Sequence, residues 1–245
     1  MANLDLLENS IPVAPLKLAA LPGSMEMAKK VDSYLVQFRK ELAERRNGVS
    51  FSGYSEDSFL IDCECPRFGS GEAKGKINES VRGADLYILV DVCNYSITYK
   101  VCGYENHMSP DDHYQDLKRI IAAATGKAHR INVVMPFLYE GRQHKRSKRE
   151  SLDCAMALQE LVSMGVSNII TFDAHDSRVQ NATPLHGFET VQPSYQFIKA
   201  LLKHEKGLHI DNDHFMIISP DEGSMNRAIY LANILGVDMG MNYKR

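Results

Sequence analysis

Short apolar runs alternate with amphipathic segments along the whole chain, and this alternation is the feature that most limits the fold. The run at residues 84–92 (ADLYILVDV) is almost wholly apolar, as expected of a strand that is buried on both faces. Similar runs occur elsewhere, and strands that alternate with helices predict an α/β fold with a mostly parallel sheet and helices on both faces. The other predicted strands lie at residues 17–21, 58–65, 131–136, 168–173, 214–219 and 238–243.

Helix signals separate these strands. Apolar residues at three- and four-residue steps after Ser24 predict a long amphipathic helix. Ser109 followed by Pro110 predicts a second helix start, because a capping hydroxyl and a proline in the first turn favour one. The remaining helices are predicted at residues 151–164, 193–204 and 224–235, whereas residues 93–108 are interpreted as irregular.

Residues 174–192 contain Pro184 and Gly187 and are interpreted as a long connection between two units. The predicted domains are therefore residues 1–190 and 191–245. The second unit has only two predicted strands and two helices, and a complete doubly wound domain requires more strands than that. We therefore expect this second domain to be incomplete in the 245-residue chain.

Composition excludes several classes of protein. The formal net charge of −3 gives no overall basic field for nucleic acid. No apolar run approaches the length of a membrane helix, and the first residues lack the pattern of a signal peptide. The five cysteines are odd in number and lack paired metal-ligand spacing, which favours reduced thiols in the cytoplasm.

Four segments that follow predicted strands could carry chemistry, since ligands of such folds bind beyond the carboxyl ends of the strands. They are residues 68–72, 141–149, 173–176 and 219–223. Residues 141–149 hold five Lys or Arg side chains, which form either a solvated charge run or a clamp for a polyphosphate. Residues 173–176 (DAHD) offer oxygen ligands and one imidazole, which favour Mg²⁺ over zinc unless the histidine is structural. Asp221 either caps a helix or belongs to a site.

Four segments, in this order, resemble ribose-phosphate pyrophosphokinases, which synthesise 5-phosphoribosyl 1-diphosphate. They are RFGSGEAKGKINESVRGADLYI (67–88), VVMPFLYEGRQHKRSKRESL (133–152), GVSNIITFDAHD (165–176) and ISPDEGSMNRAIYLANILG (218–236). The resemblance implies two similar domains of the type I phosphoribosyltransferase kind, assembled as dimers within hexamers. It also implies transfer of the diphosphoryl group of MgATP to the C1 hydroxyl of ribose 5-phosphate, with AMP as the second product.

The same resemblance implies roles for individual residues on the ATP side. Phe68 matches the aromatic residue that packs on adenine. Arg142 and Gln143 match an ATP-binding pair, and His175 matches a histidine that engages Mg-ATP. The residues that match an Asp-Gly-Glu contact to the nucleotide are Ser70, Gly71 and Glu72, with a serine where the family has an aspartate.

On the catalytic side, Lys244 matches the lysine that stabilises the transition state, and Asp221 matches a second metal-associated position. The basic residues that match the catalytic flexible loop are Arg146, Lys148 and Arg149. That loop is slightly shorter than in common bacterial enzymes, and Ala174 replaces the usual leucine before His175.

Two departures leave other functions open. Residues 93–108 form an apparent insertion that would alter a regulatory or oligomer surface, and the family's ribose-phosphate loop is expected after Lys244, where the sequence stops. The enzyme is the first hypothesis. A non-catalytic subunit of the same fold that regulates active subunits is the second, and a nucleotide-binding sensor that does not require ribose phosphate is the third.

Overall fold

The computed structural model describes residues 12–45 and 55–243, which form two compact units that divide between Val191 and Gln192. The first unit contains three long helices, α1 (Met25–Arg45), α2 (Pro110–Ala124) and α3 (Asp153–Ser163). Its strands are β1 (Leu16–Ala20), β2 (Leu60–Ile61), β3 (Cys63–Glu64), β4 (Lys76–Ile77), β5 (Asp85–Leu89), β6 (Thr98–Val101), β7 (Tyr104–His107), β8 (Arg130–Val134), β9 (Val166–Phe172) and β10 (Gly187–Val191).

Six of these strands form one parallel sheet in the order β10-β9-β8-β5-β1-β2. Helices cover both faces, as predicted, because successive side chains of a strand point to opposite faces. Leu86 and Ile88 of β5 pack in a cluster with α2 and α3, whereas Leu89 packs with the cluster around α1. The predicted α/β fold with a mostly parallel sheet is confirmed.

Helix α2 begins where the sequence predicts. The Ser109 hydroxyl accepts a hydrogen bond from the Asp112 backbone N–H at 3.2 Å, and the Asp112 carboxylate accepts one from the Ser109 N–H at 2.9 Å. Two orphan donors of the first turn are thereby satisfied. Leu117, Ile120 and Ile121 then lie fully buried on one side of the helix.

Two predicted segments are wrong in detail. Residues 58–65 do not form one strand: β2 pairs with β1, and after Asp62 the chain leaves the main sheet so that β3 pairs antiparallel with β4. Residues 174–192, predicted as a long connection between two units, contain a 3₁₀ helix (Ser177–Ala182) and the strand β10, which the sequence did not predict. Strand β10 lies at the edge of the sheet and alternates exposed with half-buried residues, so it has no apolar run to reveal it.

Residues 93–108 are also more ordered than predicted. Strands β6 and β7 form an antiparallel hairpin whose two turn residues, Cys102 and Gly103, have φ angles of 49° and 86°. Two positive φ values in a two-residue loop are typical of a type I′ turn, which matches the twist of paired strands.

The second unit contains α4 (Ser194–His204), β11 (Ile217–Ser219), α5 (Met225–Leu235) and β12 (Met239–Met241). Its two strands pair in parallel.

All five cysteines of the chain are free thiols. Across the parts of the chain that the structure describes, no helix is both long enough and apolar enough to cross a membrane.

Candidate functional site

The strand order places several loops side by side at the carboxyl edge of the main sheet. Strands β8 and β9 are neighbours, so residues 135–149 after β8 lie next to residues 173–176 after β9. The missed strand β10 supports this second segment: the Asp173 N–H donates to the Val191 carbonyl at 3.0 Å, and the Ala174 N–H donates to Thr190 Oγ1 at 2.9 Å. Asp173 itself has a φ of 43°, so the chain turns sharply before His175.

Two histidines from these loops approach each other. The rings of His144 and His175 lie 5.3 Å apart at an angle of 58°. His144 Nε2 is 3.3 Å from Asp176 Oδ2, and its Nδ1 is 3.1 Å from the Arg142 carbonyl. His144 is held between the two loops and is largely buried, with 11% of its side chain exposed. The sequence did not single out His144, because it stands there only as one member of a basic run.

Asp176 organises this cluster. Its Oδ1 accepts hydrogen bonds from the backbone N–H and the Nε of Arg178, both at 2.9 Å. The guanidinium of Arg178, with help from His144, holds the pKa of the Asp176 carboxyl far below its usual range. Asp176 is therefore ionised at neutral pH, and its carboxylate can accept a hydrogen bond from the His144 ring.

We expect Asp176→Asn to lower the free energy of unfolding by about 1 kcal/mol at pH 7, because it removes a paired carboxylate at a partly exposed position. A carboxyl whose pKa is lowered by folding stabilises the protein above its unfolded pKa, about 3.9, and loses that contribution as the pH falls through the folded pKa. The difference between Asp176→Asn and the natural protein should therefore shrink below pH 4.

Urea titrations at pH 7 and at pH 2 measure this effect, because most of the contribution is lost only as the pH approaches the lowered folded pKa of Asp176. Asp213→Asn, at an exposed turn in the second unit, is the matched control and should behave like the natural protein at both pH values. An effect of Asp176→Asn that is equal at the two pH values would mean that the charge of Asp176 is not what stabilises the loop.

Arg142 and Gln143 have different surroundings, although the resemblance pairs them. The Arg142 guanidinium lies 5.7 Å from the ring centre of Phe137 and lines a cavity of about 240 Å³. The Gln143 amide instead donates to the Ser151 carbonyl at 2.8 Å and to the Lys145 carbonyl at 3.3 Å. Arg142 therefore faces an open cavity, whereas Gln143 joins the two ends of the loop of residues 139–149, called the basic loop below.

The first part of this loop is anchored to helix α2. The Tyr139 hydroxyl donates to Asp111 Oδ1 at 2.6 Å, and its ring stacks on Tyr114 at 4.2 Å. Burial and the Asp111 carboxylate raise the pKa of Tyr139, so its hydroxyl stays protonated as a donor. Beyond this anchor, Arg146, Lys148 and Arg149 are all exposed. The loop thus has a fixed base and a charged, solvent-facing tip.

The segment 68–72 is a separate loop that is held together by hydrogen bonds between its own residues. The Phe68 N–H donates to the Glu72 carbonyl at 2.7 Å, and the Gly71 N–H donates back to the Phe68 carbonyl at 2.9 Å. The Ser70 hydroxyl donates to Glu72 Oε2 at 2.8 Å. The Phe68 ring is 53% exposed, which leaves an aromatic face open to a ligand. Together these contacts form a compact loop, called the aromatic loop below.

Two predicted site residues, Asp221 and Lys244, belong to the part of the chain that follows Val191. The Asp221 carboxylate accepts a hydrogen bond from the Ser224 N–H at 3.0 Å and caps a 3₁₀ helix (Glu222–Ser224), which is the capping alternative raised by its position. Lys244 lies outside the described residues.

The side chains at this edge of the sheet suit a metal ion that is already bound to the phosphates of a ligand. Within residues 12–45 and 55–243, no three His, Cys, Asp or Glu side chains converge as ligands of one metal ion. The Asp176 carboxylate is engaged by Arg178 and His144. A magnesium ion at this edge would therefore be held mainly by phosphates and water, as Mg²⁺ commonly is, with His175 as a candidate protein contact.

Comparisons with known proteins identify relatives of the chain. A family profile described as the N-terminal domain of ribose phosphate pyrophosphokinase matches residues 16–165. Ribose-phosphate pyrophosphokinase B of Dictyostelium discoideum is 29% identical over 180 residues, covering 73% of this chain and 50% of that protein. The ribose-phosphate pyrophosphokinase of Thermosipho africanus is 31% identical over 206 residues, covering 83% of this chain and 58% of that protein.

A solved structure shares the fold. The phosphoribosylpyrophosphate synthetase of Mycobacterium smegmatis superposes with a TM-score of 0.71 at 21% identity, covering 94% of this chain and 65% of that one. The chain spans about half the length of the curated relatives it matches.

Proposed function

Because the chain belongs to the ribose-phosphate pyrophosphokinase family through its N-terminal domain, we propose that it carries the ATP-binding part of a ribose-phosphate diphosphokinase. The reaction transfers the diphosphoryl group of MgATP to ribose 5-phosphate: the C1 hydroxyl attacks the β-phosphorus, and AMP leaves. The observation that carries this proposal is the approach of His144 and His175 at the carboxyl edge of the parallel sheet, where ligands of such folds bind, with Arg142 of the same loop facing a cavity.

Arg142 is the residue best placed to bind a phosphate. Its guanidinium borders an open cavity and has several donors in a planar fork, which matches the oxygens of a phosphate. The ring of Phe137 beside it limits its freedom without consuming those donors. His175, at the end of the sharp turn that β10 supports, is proposed to contact the phosphates of Mg-ATP from the adjacent strand.

The exposed tip of the basic loop has a separate role. Arg146, Lys148 and Arg149 are proposed to close over the transferring group, because mobile cations stabilise the charge that develops during phosphoryl transfer. Gln143 supports this movement from the base of the loop, where its amide holds the two ends together. The loop thus combines a base held by hydrogen bonds with an exposed, basic tip.

The aromatic loop is proposed to bind the base of ATP. An exposed aromatic ring such as that of Phe68 binds the face of adenine by stacking. Ser70, Gly71 and Glu72 complete this loop, and the Ser70–Glu72 hydrogen bond keeps both side chains at its tip.

Mg²⁺, bound with ATP, supplies neutralisation of the phosphate charge and orients the β-phosphorus for attack. His175 is proposed as a contact of Mg-ATP, Asp221 is proposed as a metal-associated position, and Lys244 is proposed to stabilise the transition state. The active protein is further proposed to be a cytoplasmic homo-oligomer of dimers within a hexamer that binds neither nucleic acid nor a membrane.

One observation favours the second hypothesis, a non-catalytic subunit. Ser70 stands where the family has an aspartate, and its hydroxyl is already used in a hydrogen bond to Glu72. A loop that has lost a charged contact to the nucleotide would suit a regulatory subunit that associates with active ones.

The release of AMP from ATP distinguishes these functions. It should be measured with and without ribose 5-phosphate and Mg²⁺, on this chain and on the chain extended by the C-terminal half of a relative. AMP that depends on both ribose 5-phosphate and Mg²⁺ supports the enzyme. AMP from neither protein overturns it in favour of the regulatory subunit, and ATP binding that is unaffected by ribose 5-phosphate favours the sensor.

A further inference from the structure

The hairpin of β6 and β7 packs directly against the aromatic loop. The Cys102 N–H, at the tip of the hairpin, donates a hydrogen bond to the Gly69 carbonyl at 2.8 Å. A Cβ atom on Gly71 would lie 2.9 Å from Cγ2 of Val101 and 3.7 Å from Cε2 of Tyr99. Gly71 also has a φ of 92°, so both its backbone and the neighbouring hairpin favour glycine. The two segments are in close contact at the tip of the loop.

Only one face of β6 makes this contact. Side chains alternate along a strand, and Tyr99 and Val101 are half-buried, whereas Thr98 and Lys100 are exposed. The strand therefore provides a pair of residues that face the aromatic loop and a matched pair that face away from it.

Polar contacts extend the support to the base of the loop. The Arg67 guanidinium, next to Phe68 in sequence, lies 4.6 Å from the ring centre of Tyr99 and donates to Asp116 Oδ2 at 2.7 Å. The Tyr99 hydroxyl donates to Asp112 Oδ1 at 3.2 Å. Asp112 and Asp116 belong to α2, so Tyr99 and Arg67 together tie the hairpin and the loop to a helix of the core.

We propose that the β6–β7 hairpin is a positioning element for the nucleotide base. It holds the aromatic loop in one conformation, so that the Phe68 ring is ordered before ATP binds. The inference deepens the proposed function and depends on it for the identity of the ligand. Tyr99 and Val101 are positioning residues, because they act through the loop.

The hairpin is expected to affect binding through the conformational entropy that the aromatic loop loses when it becomes ordered. The aromatic loop is short and exposed, with a few hydrogen bonds of its own, and a ligand that had to order it would bind more weakly. A hairpin that orders the loop in advance should therefore increase affinity for the adenosine part of ATP and leave the affinity for its phosphates unchanged.

The first test measures the loop itself. Amide hydrogen exchange of residues 67–73 is compared between the natural chain, the double variant Tyr99→Leu/Val101→Ala and the control Lys100→Ala, which leaves the Thr98–Glu105 hydrogen bond of the hairpin in place. We expect exchange about tenfold faster in the loop of the first variant only, because local opening becomes easier without the hairpin contacts. Unchanged exchange in that variant overturns the inference, whether or not the chain binds a nucleotide.

The second test separates the base from the phosphates. Calorimetry with MgATP and with magnesium tripolyphosphate should show MgATP binding weakened about tenfold in Tyr99→Leu/Val101→Ala, equivalent to about 1.4 kcal/mol. Tripolyphosphate binding should be unchanged. Equal weakening of both ligands would indicate general damage to the site and overturn the inference.

Two further controls keep the result interpretable. Tyr99→Phe retains the aromatic ring beside Arg67 and Gly71. This variant should therefore keep most of the MgATP affinity that Tyr99→Leu/Val101→Ala loses. Val101→Ala alone serves if the double variant fails to fold by circular dichroism. If the natural chain binds neither ligand, the proposed function fails, whereas the exchange experiment still decides whether the hairpin orders the loop.

Discussion

Lys244→Ala should reduce kcat about a thousandfold in a preparation that forms AMP from MgATP and ribose 5-phosphate, and leave the affinity for ATP nearly unchanged. Strand β12 ends at Met241, three residues before Lys244, and lies parallel to β11, which leads directly to Asp221. Lys244 therefore follows the carboxyl end of a parallel strand, the usual position of ligand contacts in this fold. Its ammonium would act mainly on charge that appears in the transition state.

Initial rates over a range of ATP concentrations, together with direct measurement of ATP binding, separate the two effects. Lys203→Ala on helix α4 removes an exposed lysine from the same unit and should leave kcat unchanged. A large loss of ATP affinity with kcat preserved would contradict the proposed role of Lys244.

Gly75→Ala should lower the free energy of unfolding by about 3 kcal/mol, the upper range for overpacking a close contact. Gly75 precedes β4, and a Cβ atom there would lie 2.3 Å from the carbonyl oxygen of Arg119 and 2.9 Å from its Cβ. Arg119 belongs to α2, whose backbone is fixed by helical hydrogen bonds. The alanine would therefore force β3 and β4 away from the helix. The reduced entropy of the unfolded chain offsets at most about 1 kcal/mol.

Urea unfolding of Gly75→Ala and of Gly69→Ala tests this contact. Gly69 has open space where a Cβ would stand, so its substitution should change stability by less than about 0.5 kcal/mol. A loss below about 1 kcal/mol for Gly75→Ala would show that the ribbon of β3 and β4 can separate from α2 at little cost.

The alternation of apolar runs and amphipathic helices was enough to predict the layered α/β fold. Central strands such as β5 are buried on both faces and must be apolar throughout, and α2 begins with a capping pair that is local in sequence. The order of several short motifs was enough to identify the family, which the profile match over residues 16–165 confirms. The roles of single residues within those motifs stay predictions.

Elements outside the centre of the main sheet were not predictable in the same way. Strand β10 at the edge of the main sheet and the separate hairpin of β6 and β7 are largely exposed, so they lack the apolar signal of a buried strand. Their positions depend on neighbours that are distant in sequence: β10 pairs with β9, and the hairpin packs on the aromatic loop. Both elements nevertheless support candidate site residues, His175 in the first case and Phe68 in the second.

The sequence alone determined the fold class, the family and the segments that carry candidate site residues. These properties follow from local periodicity and from short motifs. Only the tertiary structure decided that His144 contacts Asp176 and approaches His175, that Gln143 joins the ends of the basic loop, and that Arg142 faces a cavity. These arrangements arise from the pairing of β8 with β9, which brings two loops together although the chain between them includes helix α3. Such a juxtaposition depends on the order of strands in the sheet, and a local pattern of residues cannot encode it.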